Sequence, residues 1–193
     1  MEERASAEAA TQAIEDHIRG YFQGHAIDIV HHRFSRRRRK SLPALRIAVI
    51  SPGPQINCWA YITIGCWAAA QQHGHGLEFI ITAKAHDQRF LELAAINAYY
   101  HVSHHLDVGH SAPIGEPWTP GSACDHLLVS LPYLHGSDLE HCAFSGGHAR
   151  LLWLLPVTAA EIAFRRQNGT EALEQLFEDT EIDPNDLHRS SVA

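Results

Sequence analysis

Histidine side chains offer this chain its most evident route to chemistry. The sequence contains 16 of them, and His101 and His105 stand four positions apart, so both would lie on one face of a helix and could chelate a metal ion. They do not form the HExxH motif of zinc hydrolases, because His101 is followed by valine. A metal-dependent hydrolase using His101 and His105 is therefore kept as an alternative, while the leading expectation is no cofactor. Other weak candidates, whose spacing matches no zinc module, are His31-His32, His73, His75 and the Cys124/His126 pair.

Other catalytic signatures are missing from the sequence. It contains no GxSxG, no P-loop and no GxGxxG motif. Cys142 has His141 beside it, but neighbours in sequence need not form a nucleophile and base in space. Because no set of catalytic roles can be assembled, we expect a protein that is not an enzyme.

The spacing of the cysteines and the composition of the first 17 residues indicate the cellular compartment. The four cysteines form no CxxC pair, and residues 1–17 are acidic without an apolar signal core. No apolar run is long enough to cross a bilayer. These features predict reduced thiols in a cytoplasmic protein that has no membrane partner.

Charge is distributed unevenly along the chain. The net charge of −7 divides into +2 over residues 1–100 and −9 over residues 101–193. The basic run Arg36–Lys40 could contact phosphates, so a nucleic-acid regulator is a further alternative. The run stands alone in an acidic chain, which favours a solvated loop. The acidic C-terminal half could attract a basic partner and speed its encounter.

Aromatic residues suggest where a protein partner could bind, since aromatic side chains concentrate binding energy at interfaces. Trp118 lies in the loop GEPWTPGS (Gly115–Ser122), and Trp67 ends the predicted strand Trp59–Trp67. With the nearby carboxylates of Glu116 and Asp125, Trp118 and Trp67 are the candidate partner-binding residues. Core packing is the competing explanation for both tryptophans.

The order of predicted elements favours an α+β fold. Hydrophobic periodicity and turn residues give the order α-β-β-β-β-α-β-β-α-α, without regular βαβ alternation. We therefore expect one domain over residues 1–193: an α/β sandwich whose mixed, mostly antiparallel sheet is flanked by helices. Residues 1–40 would be an extension made of a helix and the basic loop. The predicted elements are a helix over 7–22 and strands over 27–30, 45–50, 59–67 and 77–83, then a helix over 88–105 and strands over 126–131 and 151–155, with two helices after them.

The stretch Leu151–Phe177 carries the most local structural information. Its apolar start predicts a buried strand that Pro156 ends. Thr158 and Glu161 have the spacing of a capping box at a helix start. Asn168-Gly169 then closes that helix, because glycine accepts a positive φ without a steric penalty. All of these signals concern folding rather than catalysis.

Three segments together resemble the suppressor of fused family, and specifically its bacterial single-domain members. They occur in the order WAYITIGCW, GEPWTPGSACDHLLVSLPY and LLWLLPVTAAEIAFRRQNGTEALEQLFE, followed by a closing HRSSV. The likeness covers roughly residues 47–192. The animal member resembles this chain only in its N-terminal domain, so the two-domain grip on a peptide is not carried over.

The resemblance implies a compact fold that works by binding proteins. Bacterial members are thought to act as immunity proteins of toxin systems, each neutralising a cognate toxin by direct binding. We therefore expect a cytoplasmic protein that binds a toxin domain. The oligomeric state and the location of the interface stay open.

Overall fold

The computed structural model describes residues 2–31, 41–70 and 75–193. The basic run Arg36–Lys40 and the candidate ligands His32 and His73 lie outside these described residues. The chain divides into two compact units. Met1–Leu106 and Leu131–Trp153 form the first unit, and Asp107–Ser130 with Leu154–Ala193 form the second. The expectation of one domain over residues 1–193 stays a prediction.

The predicted helices and strands occur in the predicted order, and the chain adds two short helices and two short strands between them. In chain order they are α1 (Glu2–Tyr21), β1 (Ile27–Val30), β2 (Arg46–Ile50), β3 (Trp59–Ile64), α2 (Trp67–Ala70), β4 (His75–Ala83), α3 (Gln88–His104), β5 (Ser111–Pro113), β6 (Cys124–Ser130), α4 (Ser137–Glu140), β7 (His141–Phe144), β8 (Gly147–Thr158), α5 (Ala159–Asn168) and α6 (Thr170–Asp179).

The strands form a mixed sheet with the hydrogen-bonded order β1-β2-β3-β4-β8-β6-β5, and β7 pairs with β8. The pairs β1–β2, β2–β3 and β3–β4 are antiparallel, as are the pairs β5–β6 and β7–β8. Strand β8 runs parallel to β4. This confirms the predicted α+β class with a mostly antiparallel mixed sheet flanked by helices. Among the described residues, no helix combines the length and apolar character that crossing a bilayer requires.

Strand β3 is shorter than the sequence predicted. It ends at Ile64 rather than at Trp67. Gly65 has φ of 100°, a left-handed conformation that favours glycine. A Cβ atom at this position would also lie 2.9 Å from the carbonyl oxygen of Ala44. The chain therefore turns at Gly65, and Trp67 begins α2 instead of continuing the strand.

The turn after β3 is organised by the fully buried carboxylate of Glu78 on β4. One carboxylate oxygen accepts from the backbone N–H groups of Gly65 at 2.7 Å and Trp67 at 3.1 Å. The other accepts from the Thr63 hydroxyl at 2.5 Å and the Cys66 N–H at 3.2 Å. Burial raises the pKa of Glu78, and these four donors oppose the rise. The carboxylate thus satisfies backbone groups that the end of the strand would otherwise leave without partners.

The second unit contains the end of β8 and the helices that follow it. Strand β8 continues to Thr158, so the prediction that Pro156 ends the strand is wrong. The register with β4 runs only from His148 to Trp153. Position 156 therefore lies beyond the hydrogen-bonded register with β4, where the missing N–H of proline removes no bond to that strand.

The predicted capping box is confirmed at the start of α5. The Thr158 hydroxyl accepts from the Glu161 N–H at 3.2 Å, and the Glu161 carboxylate accepts from the Thr158 N–H at 2.9 Å. Gly169, with φ of 95°, ends the helix as expected. Thr170 does not cap the next helix with its side chain; its hydroxyl accepts from the guanidinium of Arg165 at 3.0 Å instead.

Glu161 also holds the C-terminal segment in the second unit. Its carboxylate has no exposed surface and pairs with Arg189, with N–O distances of 2.5 and 2.9 Å. It further accepts from the Val192 N–H at 3.2 Å. The Arg189 guanidinium donates to the Pro156 carbonyl at 3.1 Å and lies 5.4 Å from the centre of the Phe177 ring. The buried ion pair and these hydrogen bonds together hold the polar tail in the second unit.

Replacing Arg189 with methionine should destabilise the protein strongly. The variant would leave the buried Glu161 carboxylate without its cation, a change that typically costs about 3–5 kcal/mol. Urea unfolding followed by circular dichroism measures this loss. Arg166→Met is the matched control, because Arg166 is exposed on the same helix as Glu161. Equal unfolding midpoints for the two variants would contradict a structural role for the ion pair.

Candidate partner-binding surfaces

Trp118, the first predicted anchor, fills the interior of the second unit. Its side chain has no exposed surface. The indole N–H donates to the His126 carbonyl at 2.8 Å, and its backbone N–H donates to the Cys124 carbonyl at 2.9 Å. The loop between β5 and β6 therefore folds back around its tryptophan, so the ring shapes the loop from inside rather than meeting a partner.

Trp67, the second predicted anchor, is a core residue of the first unit. It is 4% exposed, and its indole N–H donates to the His148 carbonyl at 2.8 Å. The ring packs edge-on against Phe144, with centroids 4.9 Å apart. It also lies so close to Gly76 that a Cβ atom there would come within 2.5 Å of the indole.

These placements correct the assignment of Trp118 and Trp67 as surface anchors, because both rings are enclosed by neighbours from their own unit. The two acidic candidates are more accessible. Glu116 is exposed, and the Asp125 side chain is 43% exposed with a carboxylate oxygen 2.7 Å from Nδ1 of His126. A role for Glu116 and Asp125 in binding a partner stays a prediction.

Negative charge is concentrated in the second unit. Its residues include 11 Asp and Glu against three arginines, a net charge of −8, whereas the rest of the chain is +1. Between Arg166 and Arg189 the sequence has no lysine or arginine. We call the exposed carboxylates on α6 and just after it the acidic ridge: Glu171, Glu178, Asp179, Glu181 and Asp183.

Those candidate metal ligands that the structure describes do not assemble into a site. His101 is 3% exposed, and its ring packs against Phe79 with centroids 5.2 Å apart. His105 caps the C-terminal end of α3 in a left-handed conformation, and its ring centre lies 6.3 Å from that of His101. Among the described residues, no group of three or more His, Cys, Asp and Glu side chains is placed to hold a metal ion.

The cysteines are placed as core residues rather than as nucleophiles. All four are buried, and none forms a disulfide bond. Burial, followed by the charge of Glu78, raises the pKa of Cys142 to about 11 and that of Cys66 well above its ordinary value. A nucleophilic cysteine needs the thiolate form, so these two thiols are poorly suited to catalysis at neutral pH.

A cavity of about 550 Å³ lies beside α1 in the first unit. Two of the polar groups in its described lining serve structural contacts. The Thr11 hydroxyl donates to the Ala7 carbonyl at 2.7 Å, and the Arg46 guanidinium binds Glu15 at 2.6 Å. These contacts give the hydrolase alternative no support.

Comparison with known proteins identifies the family. The family model described as suppressor of fused protein (SUFU) matches residues 41–190. The chain belongs to the suppressor of fused family. This result confirms the resemblance carried by the three sequence segments and the closing HRSSV.

Solved structures agree with the assignment. A suppressor of fused homologue from Neisseria gonorrhoeae has 27% identity and a TM-score of 0.81, over 95% of this chain and 97% of that one. The Sufu-Fu complex matches with 13% identity and a TM-score of 0.75, over 95% and 92% of the two chains. Drosophila Suppressor of Fused matches with 12% identity and a TM-score of 0.64, over 95% of this chain and 51% of that one. The last two comparisons concern the fold alone.

One relative carries a name with functional content. Immunity protein YqcF from Bacillus subtilis (strain 168) is 33% identical over 67 residues. That segment spans 35% of this chain and 35% of the Bacillus protein's length.

Sequence reasoning missed the turn that precedes α4. It is anchored by His135, which is 9% exposed and whose Nε2 has no hydrogen-bond partner among the described residues. The Tyr21 hydroxyl donates to the His135 carbonyl at 3.2 Å, and the rings of Tyr21 and Phe22 each lie 5.6 Å from its imidazole. In the sequence, His135 is marked only by its place in the short, partly apolar segment Pro132–Gly136. Surface histidines occur in similar segments, so this pattern does not predict a buried imidazole.

Stability should fall as the pH drops from about 6.5 to about 4, partly because of His135. Burial lowers the pKa of His135 from 6.5 to about 4. In that interval the unfolded chain binds a proton that the folded protein does not, so stability present above pH 6.5 is lost on acidification. The contribution is at most about 3 kcal/mol. Urea unfolding at several pH values measures it.

His135→Gln should flatten this part of the pH profile, whereas His188→Gln, at an exposed position, should leave it unchanged. Parallel profiles for the wild type and His135→Gln between pH 4 and 6.5 would show that His135 does not remain neutral in the folded state.

Proposed function

We propose that this protein is a non-enzymatic binding module that neutralises a cognate toxin by direct contact, as a bacterial immunity protein. The observation that carries the proposal is the 33% identity with Immunity protein YqcF over 67 residues, within a chain of the suppressor of fused family. An immunity protein needs a stable complementary surface and no catalytic residues, which suits a chain in which His101, His135 and the four thiols are buried.

Charge suggests which kind of toxin domain would bind. The second unit carries a net charge of −8, and the acidic ridge is solvent-exposed. Complementary charge speeds association and discriminates among partners more than it adds affinity. A basic toxin domain, such as a nuclease, fits this surface. We expect the complex to form in the cytoplasm and to need no cofactor.

The test uses the C-terminal domain of the toxin that is encoded beside this protein's gene. The toxin domain carries a mutation that inactivates it. Isothermal titration calorimetry should show one-to-one binding without added metal. Binding of the same domain that persists in the presence of a chelator would show that the contact needs no metal ion, whereas the hydrolase alternative requires one. An absence of binding by the wild-type protein would remove the proposal.

Reversing charges on the acidic ridge should weaken the complex. We expect Glu171→Lys with Glu178→Lys to reduce affinity about tenfold, mainly through slower association, and to lower the salt dependence of the rate. Both positions are exposed on α6. Surface plasmon resonance at several salt concentrations measures both effects.

The matched control is Asp16→Lys with Asp28→Lys, which makes the same change in net charge at exposed positions of the first unit. This control should bind within about twofold of the wild type, because it leaves the carboxylates of the ridge unchanged. Equal association rates for the two double variants would contradict the ridge as the attracting surface, while leaving direct binding intact.

A further inference from the structure

Residues 182–193, which we call the strap, are held against the rest of the second unit mainly by polar contacts. Within this range Leu187 is the only buried hydrophobic side chain, at 7% exposed. The Ser122 hydroxyl donates to the Leu187 carbonyl, and the hydroxyl oxygens of Ser191 and Thr158 are 2.8 Å apart. Individual hydrogen bonds contribute modestly to stability, because water competes for the same groups. A segment that buries so little apolar surface therefore opens at lower cost than the core of its unit.

The strap covers a site whose geometry fits a guanidinium group. Two terminal nitrogen atoms of Arg189 donate to different oxygen atoms of Glu161, at 2.5 and 2.9 Å. One of them also donates to the Pro156 carbonyl at 3.1 Å, and the guanidinium carbon lies 5.4 Å from the centre of the Phe177 ring. We call Glu161, Pro156 and Phe177 the guanidinium site. A lysine ammonium cannot form this planar pair of bonds, so the site is selective for arginine.

The junction between α6 and the strap is strained. Glu181 has φ of 48°, a left-handed conformation that favours glycine and is costly for other residues. Its N–H donates to the Glu178 carbonyl at 3.0 Å, and the Ile182 N–H donates to the Phe177 carbonyl at 3.1 Å. This conformation directs the chain from the helix into the strap. Because detachment of the strap lets residue 181 adopt an extended conformation, the strain at Glu181 opposes the closed state.

The unit that contains the guanidinium site attracts cations. Its net charge is −8, and the ridge residues Glu178, Asp179 and Glu181 follow Phe177 within four positions and are exposed. A second copy of this chain would bring an equally negative unit, so like charges would oppose an exchange of straps between copies. An arginine-bearing segment of a basic protein domain has the opposite charge and also the group that the site binds.

We propose that the guanidinium site binds an arginine of the protein partner, and that Arg189 of the strap is an internal ligand which this arginine displaces. The inference rests on the proposed function, since the partner is the basic toxin domain. Exchanging one arginine for another leaves Glu161 paired in both states, which avoids the large cost of an unpaired buried carboxylate. The closed strap lowers the apparent affinity, because only the open fraction of the molecules can bind.

The site itself is tested without the toxin. Arg189→Ala removes the internal ligand, and ethylguanidinium chloride at about 20 mM should raise the thermal unfolding temperature of this variant. Ethylammonium chloride at the same concentration should have little effect, because it cannot form both bonds with Glu161. The wild type, whose site is filled by Arg189, should respond equally to the two salts. An equal response of Arg189→Ala to both salts would overturn the arginine site.

The displacement is tested with Leu187→Ala and the inactivated C-terminal domain of the toxin encoded beside the gene. This substitution weakens the strap and leaves Glu161 unchanged, so calorimetry should show affinity up to about tenfold tighter than that of the wild type. His188→Ala is the matched control, because His188 is the next residue of the strap and is exposed. It should bind within about twofold of the wild type.

A second pair of variants changes the junction and keeps the core of the unit intact. Glu181→Gly and Glu181→Ala both remove one charge from the ridge, but only glycine accepts the positive φ without strain. Glu181→Gly should therefore hold the strap closed more firmly and bind the toxin domain about threefold more weakly than Glu181→Ala.

Circular dichroism establishes that each variant is folded, and sedimentation velocity gives its mass. If the wild type binds the toxin domain but Leu187→Ala binds no more tightly and the two Glu181 variants bind equally, the displacement is overturned while the proposed function stands. If the wild type does not bind, both are overturned. A Leu187→Ala dimer whose affinity for the toxin domain is unchanged would assign the open site to the strap of a second copy and overturn the proposed partner.

Discussion

The burial of two carboxylates is the constraint on which much of this structure depends. Glu78 in the first unit and Glu161 in the second have no exposed surface. Transferring an ionised carboxylate out of water is costly unless hydrogen bonds or an opposite charge compensate it. Each unit meets that requirement differently: three backbone N–H groups and a hydroxyl surround Glu78, whereas Arg189 pairs with Glu161. The first arrangement fixes the turn after β3, and the second fixes the C-terminal segment.

Local signals in the sequence predicted the parts of the fold that depend on neighbouring residues. The capping box of Thr158 and Glu161 and the helix end at Gly169 involve contacts within a few positions. The end of β3 was missed because Glu78 lies 13 positions beyond Gly65, and no local pattern relates them. Periodicity extended the strand through Trp67, since alternation of apolar residues continues past the point where the chain turns.

The candidate site was predicted less well than the fold. Trp118 stands among Pro and Gly residues, a composition typical of exposed loops, yet its indole donates to a backbone carbonyl in the interior. Aromatic identity alone cannot distinguish a ring that packs inward from one that faces solvent. Tyr133, which the sequence did not mark as a candidate, is 60% exposed. The acidic bias of the C-terminal half could be counted from the sequence, but its concentration in one unit required the fold.

The two histidines predicted as metal ligands have structural roles in this protein. His101 packs against Phe79, and His105 caps a helix. Burial raises the pKa of the Cys66, Cys124 and Cys142 thiols, and the carboxylates of the acidic ridge are exposed. Such a molecule is suited to act by stoichiometric contact. Titration of this protein into the active toxin domain tests that claim most directly. Toxin activity should fall linearly with added protein and reach its minimum at a one-to-one ratio, independent of incubation time. Complete inactivation by a small fraction of an equivalent, increasing with time, would contradict the account and indicate an enzyme.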